Sequence, residues 1–124
     1  MKMCYIPVSI GELFDKYTIL QIKQERITNK DKLDMVEKEL SYLKELIDNY
    51  SIETELIDEL KHINERLWVI EDNIRVKEQQ QQFDDDFISL ARQVYITNDK
   101  RSETKNKINF IMKSELIDIK SYYS

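Results

Sequence analysis

The chain has 124 residues, 41% of them apolar and 35% charged, with one Gly, one Pro and one Cys. That composition suits a single helical domain over residues 1–124. It excludes a disulfide scaffold or collagen, and one Gly and one Pro cannot supply the positive-φ corners of a many-stranded sandwich or barrel. The net charge of −5 and pI near 5.0 disfavour a general nucleic-acid face, which needs a local excess of Lys and Arg against phosphate.

Met3 to Val8 is β-branched, aromatic and interrupted by Pro7, and reads as an extended lead-in packed across the helices. The stretch before Glu12 is too short for a signal h-region, and no uncharged run is long enough to span a membrane. Cys4 has no partner for an intramolecular bridge, which fits a reducing, cytoplasmic setting; a free structural thiol is the plainer reading and a redox thiol the sharper one.

Ser9 to Glu12 has the form of a capping box, in which Ser9 bonds the amide three residues on and Glu12 reaches back. Helix 1 then runs from Ile10 to Thr28, with Ile10, Leu13, Tyr17 and Leu20 on one face. Asn29-Lys30-Asp31 breaks it. Leu33, Val36, Leu40, Leu43 and Ile47 define a second helix ending near Asn49, so the first two form a hairpin. Ser51 is the expected N-cap of a long helix over Ile52 to Gln80, where Leu56, Leu60, Ile63, Leu67, Ile70 and Ile74 alternate by four and three.

Gln79 to Gln82 with Asp84 to Asp86 is the last corner, the Asp residues suiting a helix N-terminus. Beyond it Phe87, Leu90, Val94, Ile108 and Met112 share a heptad-like line that also passes through Asn98, Arg101 and Lys105. Either the helix breaks near Ile96-Thr97-Asn98, or it continues and turns those three polar groups inward; continuation is favoured. Leu116 to Ser124 reads as a fraying end. The fold class is all-α: an antiparallel bundle of about four long helices with a short extended N-terminal segment.

His62 is the single His and Cys4 the single thiol, which excludes His/Cys zinc sites and leaves only a carboxylate-bound Mg²⁺ or Mn²⁺ open; no metal ligand is assigned. His62 precedes the seam position Ile63 on a charged helix and reads as surface. Gly11 is the single Gly, so P-loop and Rossmann phosphate sites are absent. The informative stripe is Asn64, Trp68, Glu71, Arg75 and Glu78, spaced four, three, four, three. Glu71 with Arg75, or Asp72 with Arg75, could pair along the helix on a solvated face. Trp68 argues instead for a stripe half-buried against another helix, where its carboxylates would need cations. The last helix offers Arg92, Tyr95 and Asp99 on one face and Asn98, Arg101, Lys105 and Asn109 along another. Helix 1 adds Glu12, Asp15, Lys16 and Lys23, which taken alone read as surface.

Three stretches, VSIGELFDKYTILQIK at 8–23, INERLWVIEDNIRVKE at 63–78 and FDDDFISLARQVYITNDKRSETKNKIN at 83–109, resemble an uncharacterised family of small helical proteins of bacteria and viruses associated with surface-polysaccharide or lipopolysaccharide genes. The order W-x-x-E-D-x-x-R followed by N-x-x-R is loosely similar to a second helical family from such gene neighbourhoods. Neither resemblance carries an established activity. The resemblance implies a polar site at Asp15, Lys16, Lys23, Trp68, Glu71, Asp72, Arg75, Arg92, Tyr95, Asn98, Asp99, Arg101, Lys105 and Asn109.

The leading expectation is a helical bundle that binds an anionic small molecule, a phosphorylated sugar or nucleotide-sugar, in glycan assembly. Arg and Lys would hold phosphate, and Trp68 or Tyr95 would stack on a sugar or base. If it is an enzyme, Glu71, Asp72 or Asp99 would be the acid/base groups. The alternative is a non-catalytic adaptor or self-associating module, joined to a glycosyltransferase or to another copy of itself. A third class is a helical nucleotide pyrophosphohydrolase using Glu12-x-x-Asp15 and Glu71-Asp72. A concave site lined by Glu71, Arg75, Arg101 and Lys105, its inward cations short of carboxylates, would favour the ligand; complete ion pairing without a cavity would favour the module.

Overall fold

A computed structural model describes residues 2–122. Four helices follow in order: α1 (Ile10–Arg26), α2 (Lys30–Ile47), α3 (Thr54–Gln79) and α4 (Asp85–Ile111). They make up 73% of the described residues, and no strand occurs among these. α1 is the hub, touching all three other helices, whereas α2 packs on α1 alone. Lys16 meets Glu39 across α1 and α2, Asp15 meets Arg101 across α1 and α4, and Lys77 meets Asp84 where α3 turns into α4, so these neighbours are antiparallel. α1 crosses α3: Asn64 bonds Asp15 and Thr18, while Lys61 one turn before it pairs with Glu25 and Trp68 one turn after it lies beside Arg26.

Each boundary has a local cause. Ser9 Oγ accepts the Glu12 amide at 3.0 Å, the forward half of the expected capping box. Glu12 does not reach back; its carboxylate goes to Lys105. The amides of Ile10 and Gly11 donate to Ser114 Oγ and Asn109 Oδ1, at 3.0 and 2.6 Å, so the start of α1 is capped by side chains from the far end of α4 and just beyond it. α1 stops at Arg26, before the expected Thr28. Asn29 alone caps α2, accepting the Lys32 amide, so Lys30 and Asp31 are already helical.

Ser51 is not the cap of α3, which starts at Thr54 behind Glu53 with no side-chain cap bond. Tyr50 and Ile52 are instead drawn onto the cluster of Phe14, Leu60 and Ile108, together with Ile10, Ile47, Leu56, Ile57 and Met112. Burying those two side chains holds 51–53 extended. At the last corner Gln81 takes a left-handed φ of 55°, and Asp84 accepts the Phe87 amide to start α4. α4 is continuous through Asn98, as favoured from the heptad-like line.

Both chain ends differ from expectation. Met3 to Val8 is extended but exposed rather than packed across the helices. After α4, Lys113 at φ 53° reverses the chain, and the segment to Tyr122 docks on α4 instead of fraying. The Asp118 amide donates to Asn106 Oδ1, and Asn106 Nδ2 donates to the Asp118 carbonyl. Residues 123 and 124 of the expected frayed end lie outside the described residues.

Candidate functional site

Periodicity exposes one apolar face of α1, but the helix buries two. Leu13 and Leu20 belong to the expected face, while Gly11, Phe14, Asp15, Thr18 and Ile22 form a second one, part polar, against α3 and α4. Asp15 is 1% exposed. Arg101 Nε donates to its Oδ1 at 2.8 Å and Nη2 to its Oδ2 at 2.5 Å, a fork-to-fork pair. Asn64 Nδ2 adds a 3.0 Å bond to Oδ1 and another to Thr18 Oγ1, which itself donates to the Asp15 carbonyl. The Asp15 bonds lift the Arg101 guanidinium above its already high pKa, more than offsetting burial.

One turn further along α4, Lys105 Nζ lies 2.7 Å from Glu12 Oε2 and 3.6 Å from Asp118 Oδ1. Ser102 donates to the other Asp118 oxygen. Burial pushes the Asp118 carboxyl up, but the Ser102 bond, Lys105 and Lys120 outweigh it, and the net shift is downward. Asn109, buried, accepts the Gly11 amide and donates to Asn106. Asn98 accepts a long 3.5 Å bond from Arg101, and Asp99 accepts the Tyr122 hydroxyl at 2.9 Å. Every inward cation therefore has a carboxylate.

Those carboxylates do not belong to the Trp68 stripe. They come from α1 and from the docked end, because α1 lies against both α3 and α4 at this level, whereas Glu71 and Asp72 lie beyond its reach. α1 ends at Arg26, whose guanidinium sits 6.0 Å from the Trp68 ring, and α3 continues to Gln79 before α4 returns from Asp85. Past Ile70 on α3, and before Thr97 on α4, no residue is buried. The two helices thus project as an arm of about 14 Å, from nine residues at 1.5 Å rise.

On that arm Glu71, Asp72, Arg75, Arg92 and Tyr95 are exposed, and none of the four charged groups is in an ion pair among the described residues. The expected half-burial of this stripe against another helix, with cations meeting its carboxylates, is not found. Trp68, half-buried, marks the level at which α1 ends, and the stripe begun by Asn64 runs on uncovered. Lys16 pairs with Glu39 in the open, and Lys23 is half-buried with no ion pair among the described residues. Glu12 and Asp15 are taken by Lys105 and Arg101, so they do not converge with Glu71 and Asp72 as paired catalytic carboxylates.

A family model covers residues 3–124, taking in the ion network, the arm and the docked end. The chain belongs to DUF6165, a family of unknown function. No curated protein and no solved structure matches it. In this DUF6165 chain a depression of about 370 Å³ lies between α4 and the docked end, lined by Asp99, Ser102, Glu103, Asn106, Asp118, Lys120 and Tyr122. Carboxylates outnumber its one Lys, a poor match for an anion. Among the described residues no three His, Cys, Asp or Glu groups are placed to hold a metal ion, and no helix is long and apolar enough to cross a membrane.

Asp118, Ser102 and Asn106 were not legible as network members, since the segment carrying Asp118 has the composition of a loose end. Thr18 and Asn64 carried a partial signal: both lie at helical spacing from buried positions.

Proposed function

We propose that this DUF6165 protein is a non-catalytic interaction module that docks a helical segment against its α3–α4 arm. The observation that carries the reading is the uncovered arm seam, where Ile74, Phe87, Leu90 and Val94 are only half-buried. Apolar residues at seam spacing normally close against a neighbouring helix. The stripe that α1 covers at Asn64, and that Arg26 still shields at Trp68, continues uncovered through Glu71 and Arg75. The pairing of Arg101 and Lys105 supports the same reading, because neither needs a bound anion to offset its desolvation. The setting that goes with the family resemblance is cytoplasmic glycan assembly, with a glycosyltransferase or another copy of this chain as partner.

The test is a photo-crosslinking residue placed at Arg75 on the arm, with Lys32 on α2 as control, read in cells. A discrete adduct from position 75 and none from position 32 is the expected result. No adduct from the arm at all removes the reading.

A second reading, binding of a phosphorylated sugar or nucleotide-sugar, is favoured by one feature: Lys23 and Arg26, neither in an ion pair among the described residues, lie at the level of a half-buried Trp68 that could stack on a sugar or base. Such a ligand would add about 2.7 kcal/mol of stability at a hundredfold excess over its dissociation constant. Thermal shifts with phosphate, sugar phosphates and nucleotide-sugars decide this, with Arg26→Gln and Lys23→Gln as controls. A saturable rise lost in both variants establishes the ligand; no rise excludes it.

A further inference from the structure

The charge layout of the arm points to its occupant. Glu78, Asp84, Asp85 and Asp86 crowd the tip, all exposed, and Lys77 there is already held by Asp84 at 2.9 Å and Asp86 at 3.9 Å. The base has the opposite sign, with Lys23 and Arg26 in the last turn of α1 and the Glu25 between them neutralised by Lys61. Tip and base are separated by the length of one arm.

We infer that the arm pairs with the arm of a second copy of this chain, antiparallel across a two-fold axis, each acidic tip over the other's Lys23–Arg26 base. This rests on the docking role proposed above and names its partner. A parallel pairing would set acidic tip against acidic tip, which repels; the antiparallel one brings opposite charges together at both ends at once, because a two-fold contact is made twice by the same surface. Between the charged ends Ile74, Phe87, Leu90 and Val94 of both copies meet, and two helical hairpins so joined make a four-helix bundle. Arg75, midway along the arm, faces the partner's Glu71 when the axis passes between those two positions. The tip aromatics Phe83 and Phe87, edge to face at 5.2 Å, supply apolar area to the same contact.

The experiment is sedimentation equilibrium of the full chain, with circular dichroism to verify folding of each variant. The parent is expected to be a dimer at micromolar concentration, weakening as salt is added. Arg26→Glu should raise the dimer dissociation constant about tenfold, as should Asp85→Lys combined with Asp86→Lys, and the swaps at both ends together should restore it. Lys23→Glu serves as a second base variant. A parent that stays monomeric overturns the inference, as does a dimer indifferent to both swaps or a combination that fails to recover. A monomeric parent that still cross-links from position 75 to another polypeptide removes self-pairing and leaves the docking role standing; absence of any cross-link removes both.

Discussion

Arg101 holds both carboxylate oxygens of Asp15, a residue 86 positions earlier in the chain, and so ties the middle of α4 to the first half of α1. Removing one partner of such a pair leaves the other charge stranded in the packed interior, whereas removing both need not destabilise at all. Arg101→Leu should therefore lower unfolding free energy by about 3 kcal/mol, the low end for buried pairs because the Arg101 side chain is 29% exposed. Asp15→Leu with Arg101→Leu should recover most of that loss. Urea unfolding of the three variants measures it, and a double variant worse than Arg101→Leu alone would contradict the stranded-charge account.

Gly11→Ala offers a contrast of signs. Replacing Gly by Ala inside an exposed helix stabilises by about 1 kcal/mol. At Gly11 the added Cβ would fall on the Lys105 carbonyl oxygen, well inside contact distance, and 2.9 Å from Asn109 Oδ1. One obstacle is backbone, so α1 and α4 would have to separate, breaking the Asn109 cap. Overpacking of this kind costs about 1–3 kcal/mol and should outweigh the propensity gain. A thermal midpoint above that of the parent would show that the helices part easily.

How far the sequence reached depends on whether the signal was periodic. The four helices and the continuity of α4 were legible because Leu60, Ile63, Leu67 and Ile70 on α3, and Phe87, Leu90, Val94 and Ile108 on α4, repeat at helical spacing. The inward turn of Arg101 and Lys105 was legible from the same line. Their partners were not: Asp15 and Glu12 sit on α1 like surface carboxylates, and only the packing of α1 on both α3 and α4 brings them inside. Trp68 suggested burial of its whole stripe, but where α1 ends is a fact of tertiary structure, and the stripe beyond it stays open. The docking of Asp118 depends on Ser102, Lys105 and Asn106, which no local pattern joins to it.

Thr97 Oγ1 is sealed from solvent one turn before Arg101 and has no hydrogen-bond partner among the described residues. A buried hydroxyl left unbonded loses its water without compensation, at a cost of about 1–3 kcal/mol. Thr97→Val keeps the shape and removes the polar atom, so it should be neutral or stabilising by about 1 kcal/mol. Thr18→Val, at an equally buried site, is the control, because Thr18 Oγ1 both donates to Asp15 and accepts from Asn64. Chemical denaturation should lower the midpoint of Thr18→Val and leave that of Thr97→Val unchanged or raised.

The docked end gives the pH prediction. Asp118 has a folded pKa below its ordinary carboxylate value: burial raises it, but the Ser102 bond, Lys105 and Lys120 lower it further. A depressed folded pKa means that the unfolded chain binds the proton more readily, so Asp118 contributes stability that is present above the unfolded value, about 4, and is lost as pH falls through the folded one. Comparing the parent with Asp118→Asn across pH isolates this term. Their difference in unfolding free energy should be constant from neutrality down to about pH 5, shrink below about pH 4, and disappear once the parent carboxyl is protonated. Hydrogen exchange at the Asp118 amide, which bonds Asn106 Oδ1, should speed up over the same interval if the end releases. A difference that grows on acidification would reverse the sign argued here, and one absent at every pH would mean that the end is held by the backbone bonds of Asp118 to Asn106 alone.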